Sequence, residues 1–170
     1  TILPPDKEKA IVDRVEKDLL TPFGLRTLST DHPLYKGQYH GDALTRDTAY
    51  HNGTAWPWLL GAYVRAYRKV NNYSKKSLED MRALLEGFDT HFETAGFGTV
   101  SEVFNGDYPY SPGGCIAQAW SVAEMFRAYV EDVLEVRPLL STISPVVLST
   151  ISQEMDMMSF SSMKINEKTT

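Results

Sequence analysis

One cysteine, four histidines and no long apolar run are what this 170-residue sequence is short of, and each shortage closes a class of chemistry. Cys115, standing alone, allows neither an internal disulfide framework nor a multi-thiolate metal site, which suits a reducing, cytoplasmic setting. His32, His40, His51 and His91 make no i, i+4 pair and no HExxH, so no zinc site and no cofactor is expected. A G-x-S-x-G elbow is missing, and with it the usual signature of a Ser-His-Asp hydrolase; Gly113-Gly114 lacks the lysine and serine of a phosphate loop. No apolar run reaches membrane-spanning length, and TILPPDKEK has neither the basic start nor the apolar core of a signal peptide. A soluble chain, unprocessed or cut from something longer, is therefore expected. The net charge of −5, with both signs interspersed, gives no footprint for nucleic acid and no polybasic membrane patch.

What is present is enough apolar residue for one domain with a sizeable core, at 42% of the chain. Residues 5–20 read as a helix, with Pro5 in the first turn and Ile11, Val12, Val15, Leu19 and Leu20 at helical spacing. A second helix is expected from Ala55 to Asn71 and a third from Ser74 or Ser77 to Thr94, opening on a Ser77–Asp80 capping-box pattern. The fourth runs from Ala117 to Val136 and stops at Pro138. Residues 23–53 have no clear period and are rich in Tyr, His, Asp and Arg; so long a connection inside one domain is uncommon unless it has a function. With no strand signal beyond an extended piece at Thr99–Phe104, the fold class is expected to be all-α, with long functional loops. After Pro138 the character changes: a short terminal helix is expected over 139–153 and a weakly ordered, Ser-, Met- and Lys-rich tail over 154–170.

Gly98–Ser121 is where chemistry is first sought, because it sets Glu102 in a polar, aromatic loop before a helix that opens on Gln118 and Trp120. An extended segment would place the Glu102 carboxylate among Val100, Val103 and Phe104, where desolvation suits acid or base work. The blander reading is a surface glutamate capping a turn. Asp107, in Asn-Gly-Asp, reads as a turn residue and a reserve carboxylate. The second constellation is Arg46-Asp47, then Tyr50-His51-Asn52-Gly53-Thr54-Ala55-Trp56-Pro57-Trp58. Sugars are held by aromatic faces and by planar guanidinium, amide and carboxylate groups that each take two hydroxyls, and this segment carries all of those. Against that, Trp58, Leu59 and Leu60 are read as core anchors and His51 as a structural histidine, while Trp56 fits core and platform equally.

The words TPFGLRTLS, YHNGTAWPW and GCIAQAWS, within a match over about residues 19–130, resemble the glycogen debranching enzyme family, in the C-terminal part of its amylo-α-1,6-glucosidase domain. The resemblance implies the closing helices of an (α/α)6 toroid and exo-hydrolysis, with inversion, of the α-1,6-linked glucose at a trimmed branch point of glycogen or a limit dextrin. An inverting glycosidase needs two carboxyl groups about 6.5 to 9.5 Å apart, one to protonate the leaving oxygen and one to activate water. By the resemblance Glu102 is the general base, with Asp107 its rival. Arg46, Asp47, Tyr50, His51, Asn52, Trp56 and Gln118 are implied to line the glucose pocket, with Asp107 and Trp120 beside them.

The resemblance also sets the expected organisation: 1–136 as the closing portion of the glucosidase domain and 137–170 as a tail foreign to the family, as in a truncated or frameshifted gene product. The general acid is then expected in the portion of the toroid not seen here, leaving this chain inactive by itself. The expected ligand is a branched α-glucan. Pairing with the missing toroid half, or self-association through uncovered apolar stripes, is the expected protein contact. The alternatives are a carbohydrate-binding or regulatory remnant without catalysis, and a purely structural, oligomerising fragment.

Overall fold

The computed structural model describes residues 2–136; the short helix and tail expected at 139–153 and 154–170 lie outside the described residues. Helix α1 (Pro5–Asp18) starts on a proline that needs no amide partner, has Asp6 and Glu8 in its first turn and buries Val12. Strands β1 (Leu20–Thr21) and β2 (Gly24–Arg26) follow, then α2 (Ala43–Tyr50), β3 (Ala55–Trp56), α3 (Leu59–Val70) and α4 (Lys75–Glu86). The short α5 (Asp89–His91) widens into a π-type turn over Phe92–Gly96. A hairpin of β4 (Val103–Phe104) and β5 (Pro112–Gly113) leads to α6 (Ala119–Ala128), which widens in turn over Tyr129–Val133.

The all-α class expected from the sequence, and with it the picture of bare closing helices of an (α/α)6 toroid, does not hold. The connections between the helices pair with one another into a five-stranded antiparallel sheet in the order β1-β2-β3-β4-β5, so the fold mixes α and β. Leu25 stands opposite both Leu20 and Trp56, Ala55 opposite Phe104, and Phe104 opposite Pro112. Strands of two or three residues are too short to show a period of two, which is why the pattern hid them. The same pairing shortens the expected second helix: Ala55–Trp56 is strand, and α3 starts only at Leu59. The capping box shifts as well. Ser74 caps α4 by accepting from Ser77 N–H at 3.3 Å, and the buried Ser77 hydroxyl instead donates to Ser74 O at 2.8 Å.

Helix α3 lies against α1, α4 and α6, and its buried side chains Leu60, Tyr63 and Val64 join Val12, Met81, Leu85, Met125 and Val133 in the core. Arg68, also buried, ties three segments together by donating to Ser74 O at 2.8 Å, Ser77 Oγ at 3.0 Å and Asp132 O at 3.2 Å. The sheet is fastened to this core by rings. Phe23 stacks on Phe104 at 4.8 Å and meets Phe88 edge-on at 5.2 Å, while His91 meets Phe104 at 4.8 Å. Strand β3 passes so close to β2 that a Cβ at Gly24 would lie 2.6 Å from the Trp56 carbonyl carbon.

His91 is buried and accepts the Ser101 N–H through Nε2 at 3.3 Å, which fixes it as a neutral ring with its proton on Nδ1. Burial pushes its pKa below the ordinary 6.5. The unfolded chain takes up a proton near pH 6.5 and the folded chain does not, so this contribution is complete above 6.5 and is lost as pH falls from there toward the folded pKa. Thermal melts of His91→Gln should therefore show a shallower fall in Tm than the parent as pH drops below 6.5. An equal slope in both proteins would assign the acid loss elsewhere.

Candidate functional site

The hairpin β4–β5 builds the site from its open end. Glu102 and Cys115 lie just outside the two strands and face each other, the Glu102 N–H donating to Cys115 O at 2.8 Å. Val103 and Phe104 are both buried, while Glu102, just before the strand, remains partly exposed. Val100 is buried as well, and the Glu102 carboxylate, expected among these three, is held by polar partners. Oε2 accepts the Cys115 N–H at 2.9 Å, and Oε1 accepts the Tyr50 hydroxyl. Gly114, at φ +70°, lies directly against this carboxylate, where a Cβ would collide with Oε2.

Helix α2 supplies the opposite wall. Asp42 caps it by accepting from Thr45 N–H at 2.8 Å, and the helix places Ala43, Arg46, Asp47 and Tyr50 along one side. Together with Tyr39 and Glu102 they line an open cavity of about 230 Å³. The Tyr50 phenol is pushed well above its ordinary pKa, first by burial and then by its bond to the charged Glu102, so it remains a proton donor to that carboxylate. The Arg46 guanidinium donates to Gly41 O, and Asp47 stays exposed to solvent. Tyr39 is positioned from the hairpin: its N–H donates to Asn105 Oδ1 at 2.7 Å, and its ring lies over Gly113, where a Cβ would come within 2.8 Å of it.

The structure thus brings Arg46, Asp47, Tyr50 and Glu102 to one pocket and leaves the other expected residues outside its lining. Trp56 is buried behind Tyr50, meeting it edge-on at 4.6 Å and donating from its indole N–H to Tyr50 O at 3.2 Å. His51 is exposed and stacks parallel to Trp56 at 6.3 Å; Trp120, half-exposed at the start of α6, meets Trp56 at 6.2 Å and Trp58 at 5.7 Å. Asn52 uses its amide to donate to Thr48 O at 2.7 Å, ending α2. Gln118 precedes α6, its N–H donating to Val100 O at 2.9 Å. Asp107 lies away from the pocket lining, at the far end of the hairpin, where it accepts the Tyr35 hydroxyl at 2.7 Å. Tyr35 is pushed up to about 12, by burial first and by Asp107 second.

Sequence reasoning did not single out Tyr39 or the Cys115 amide. The density of tyrosines in the aperiodic stretch 23–53 was the available signal for the first; a backbone donor leaves none. A larger cavity, of about 440 Å³, opens between α4–α5 and α6, lined mainly by Leu85, Phe92, Val122, Met125 and Phe126. It has carboxylates at its edge, Glu86 and Asp89, but no guanidinium or indole, whereas the smaller pocket gathers a guanidinium, two carboxylates and two phenols. Among the described residues no three His, Cys, Asp or Glu side chains are placed to hold a metal ion, and no helix is long and apolar enough to cross a membrane.

A carboxylate fixed by two donors, a second carboxylate, a guanidinium and two phenols thus surround one small open cavity. The family model described as amylo-alpha-1,6-glucosidase matches residues 1–127, and the chain belongs to that family.

Gly114 gives the site's geometry a direct check against Gly98, which has a similar positive φ of +81° but open space where a Cβ would go. Both alanine variants take on backbone strain of about 1 kcal/mol. Gly114→Ala must also displace Glu102, so its urea midpoint should fall clearly further than that of Gly98→Ala; equal midpoints would show that the carboxylate does not press on Gly114.

Proposed function

We propose that this chain carries the general-base side and part of the glucose-binding pocket of an inverting exo-α-1,6-glucosidase acting on branched α-glucans. The observation that carries this reading is the double anchoring of Glu102, whose two oxygens are held by Tyr50 Oη and the Cys115 N–H at the edge of a sugar-sized cavity. A carboxylate so fixed can orient a water and take its proton as the glycosidic bond breaks. Asp47 and Arg46, beside it, offer the planar bidentate groups that hold neighbouring sugar hydroxyls, and Tyr39 offers a ring face.

The acid that protonates the leaving oxygen comes from the rest of the glucosidase domain, and residues 2–136 are inactive without it. The apolar cavity beside α6, where Phe126 is 70% exposed, supports pairing with further polypeptide. The reading that keeps sugar binding without catalysis rests on the same pocket and predicts the same ligands; it differs only in turnover.

Glucose released from panose or a limit dextrin, read by its first anomeric NMR signal, separates the two. With the remaining portion of a family glucosidase domain supplied, β-glucose should appear first, and Glu102→Gln should slow its release by about 10²- to 10⁴-fold. Release of α-glucose, an undiminished rate in Glu102→Gln, or binding with no release at all would reject the catalytic assignment.

A further inference from the structure

The hairpin that holds Glu102 at its open end ends, at its other end, in a rigid turn that displays two tyrosines. Tyr108 is 84% exposed, and its ring meets that of Tyr110 edge-on at 6.4 Å. The Tyr108 ring is solvated and Tyr110 is half-buried, while the segment beneath them is tightly fixed. Tyr110 N–H donates to Asp107 O at 2.8 Å, Asn105 N–H to Ser111 O at 2.9 Å, and Gly106 N–H to Gly37 O at 2.6 Å. From the side, Tyr35 Oη donates to Asp107 Oδ1 at 2.7 Å and Arg26 Nε to Gly106 O at 2.8 Å. Tyr110 itself is held at φ +58°, a left-handed conformation that costs a non-glycine residue about 1 kcal/mol or more and persists only where the surroundings impose it.

We infer that Tyr108, Tyr110 and Asp107 form an outer binding site for an α-glucan chain, separate from the glucose pocket at Glu102 and carried on the same hairpin. Resting on the reading of that pocket as a glucosidase site, the inference extends it from one sugar to several. An exposed aromatic ring can cover the C–H face of a glucose unit, and Asp107 Oδ2, which lies over Gly37 while Oδ1 is engaged by Tyr35, can accept from its hydroxyls. From Glu102 to Tyr108 is six residues, at most about 20 Å of extended chain, so one oligosaccharide a few units long can span both sites. The tip then holds the polymer while the pocket takes its terminal glucose.

Isothermal titration of the full chain with glucose and with maltohexaose tests this, using the parent, Tyr108→Ala and Tyr108→Phe. Tyr108 is exposed, so its replacement should leave stability within about 0.5 kcal/mol. Maltohexaose should bind more tightly than glucose to the parent, lose about tenfold in affinity in Tyr108→Ala and keep it in Tyr108→Phe, with glucose affinity the same in all three. Hexaose affinity unchanged in Tyr108→Ala, a parallel loss of glucose affinity, or hexaose binding the parent no better than glucose would each overturn the outer site while leaving the pocket in place. A parent chain that binds neither sugar would overturn the outer site and the glucose pocket together.

Discussion

Glu102 and Cys115 hold each other twice, through the Glu102 N–H on Cys115 O at 2.8 Å and the Cys115 N–H on Glu102 Oε2 at 2.9 Å. The first bond closes the open end of the β4–β5 pair one residue out of its register; the second turns a backbone amide toward a charged side chain, where a hydrogen bond is stronger than between neutral groups. Both require the chain to reverse at Gly114 with a positive φ and no side chain. Once this end of the hairpin is closed, the carboxylate can face only α2. Tyr50, Arg46 and Asp47 acquire their roles by lying opposite it.

The rest of the chain makes that opposition rigid. Stacking of Phe23 on Phe104 fixes the hairpin to the helical core, and Trp56, buried behind Tyr50, prevents the phenol from receding. Close backbone approaches at Gly24, Gly53 and Gly106 bring the three loop segments within hydrogen-bonding reach; at Gly106 a Cβ would run into the carbonyl of Gly53. The long stretch between β2 and β3, which contains Tyr35, Tyr39 and α2, is in good part exposed yet tied to the hairpin at Tyr35, Gly37 and Tyr39. Its polar groups are spent on one another and on the hairpin, as with Lys36 N–H on Asn52 O and Asn105 Nδ2 on Gln38.

How much of this the sequence disclosed follows from the length of each signal. Helices α1, α3 and α4 repeat apolar residues over three turns or more and were legible. Helix α2 was not, because its eight residues bury only Ala49 and leave Leu44 exposed; the one cue was Asp42 placed to cap it. The sheet was missed for the same reason, since pairs such as Leu20–Thr21 are too short to alternate. Glu102 stood out through its neighbours in a long recognisable word, yet its surroundings were misjudged. Val103 and Phe104 are both buried, yet the carboxylate just before them meets the Tyr50 hydroxyl and the Cys115 amide, so apolar neighbours in sequence say little about its partners. Asp107 and Glu102, five residues apart, looked like rivals for one role and lie at opposite ends of a hairpin.

That the pocket between α2 and the hairpin receives a glucose unit against Glu102 is the claim on which the account stands, and a crystal structure of the chain soaked in glucose tests it most directly. The account predicts a sugar ring among Tyr39, Arg46, Asp47 and Tyr50, with a hydroxyl at about 3 Å from a Glu102 oxygen. A glucose seated elsewhere, or an unaltered pocket at saturating sugar with Glu102 bonded only to Tyr50 and Cys115, would contradict it.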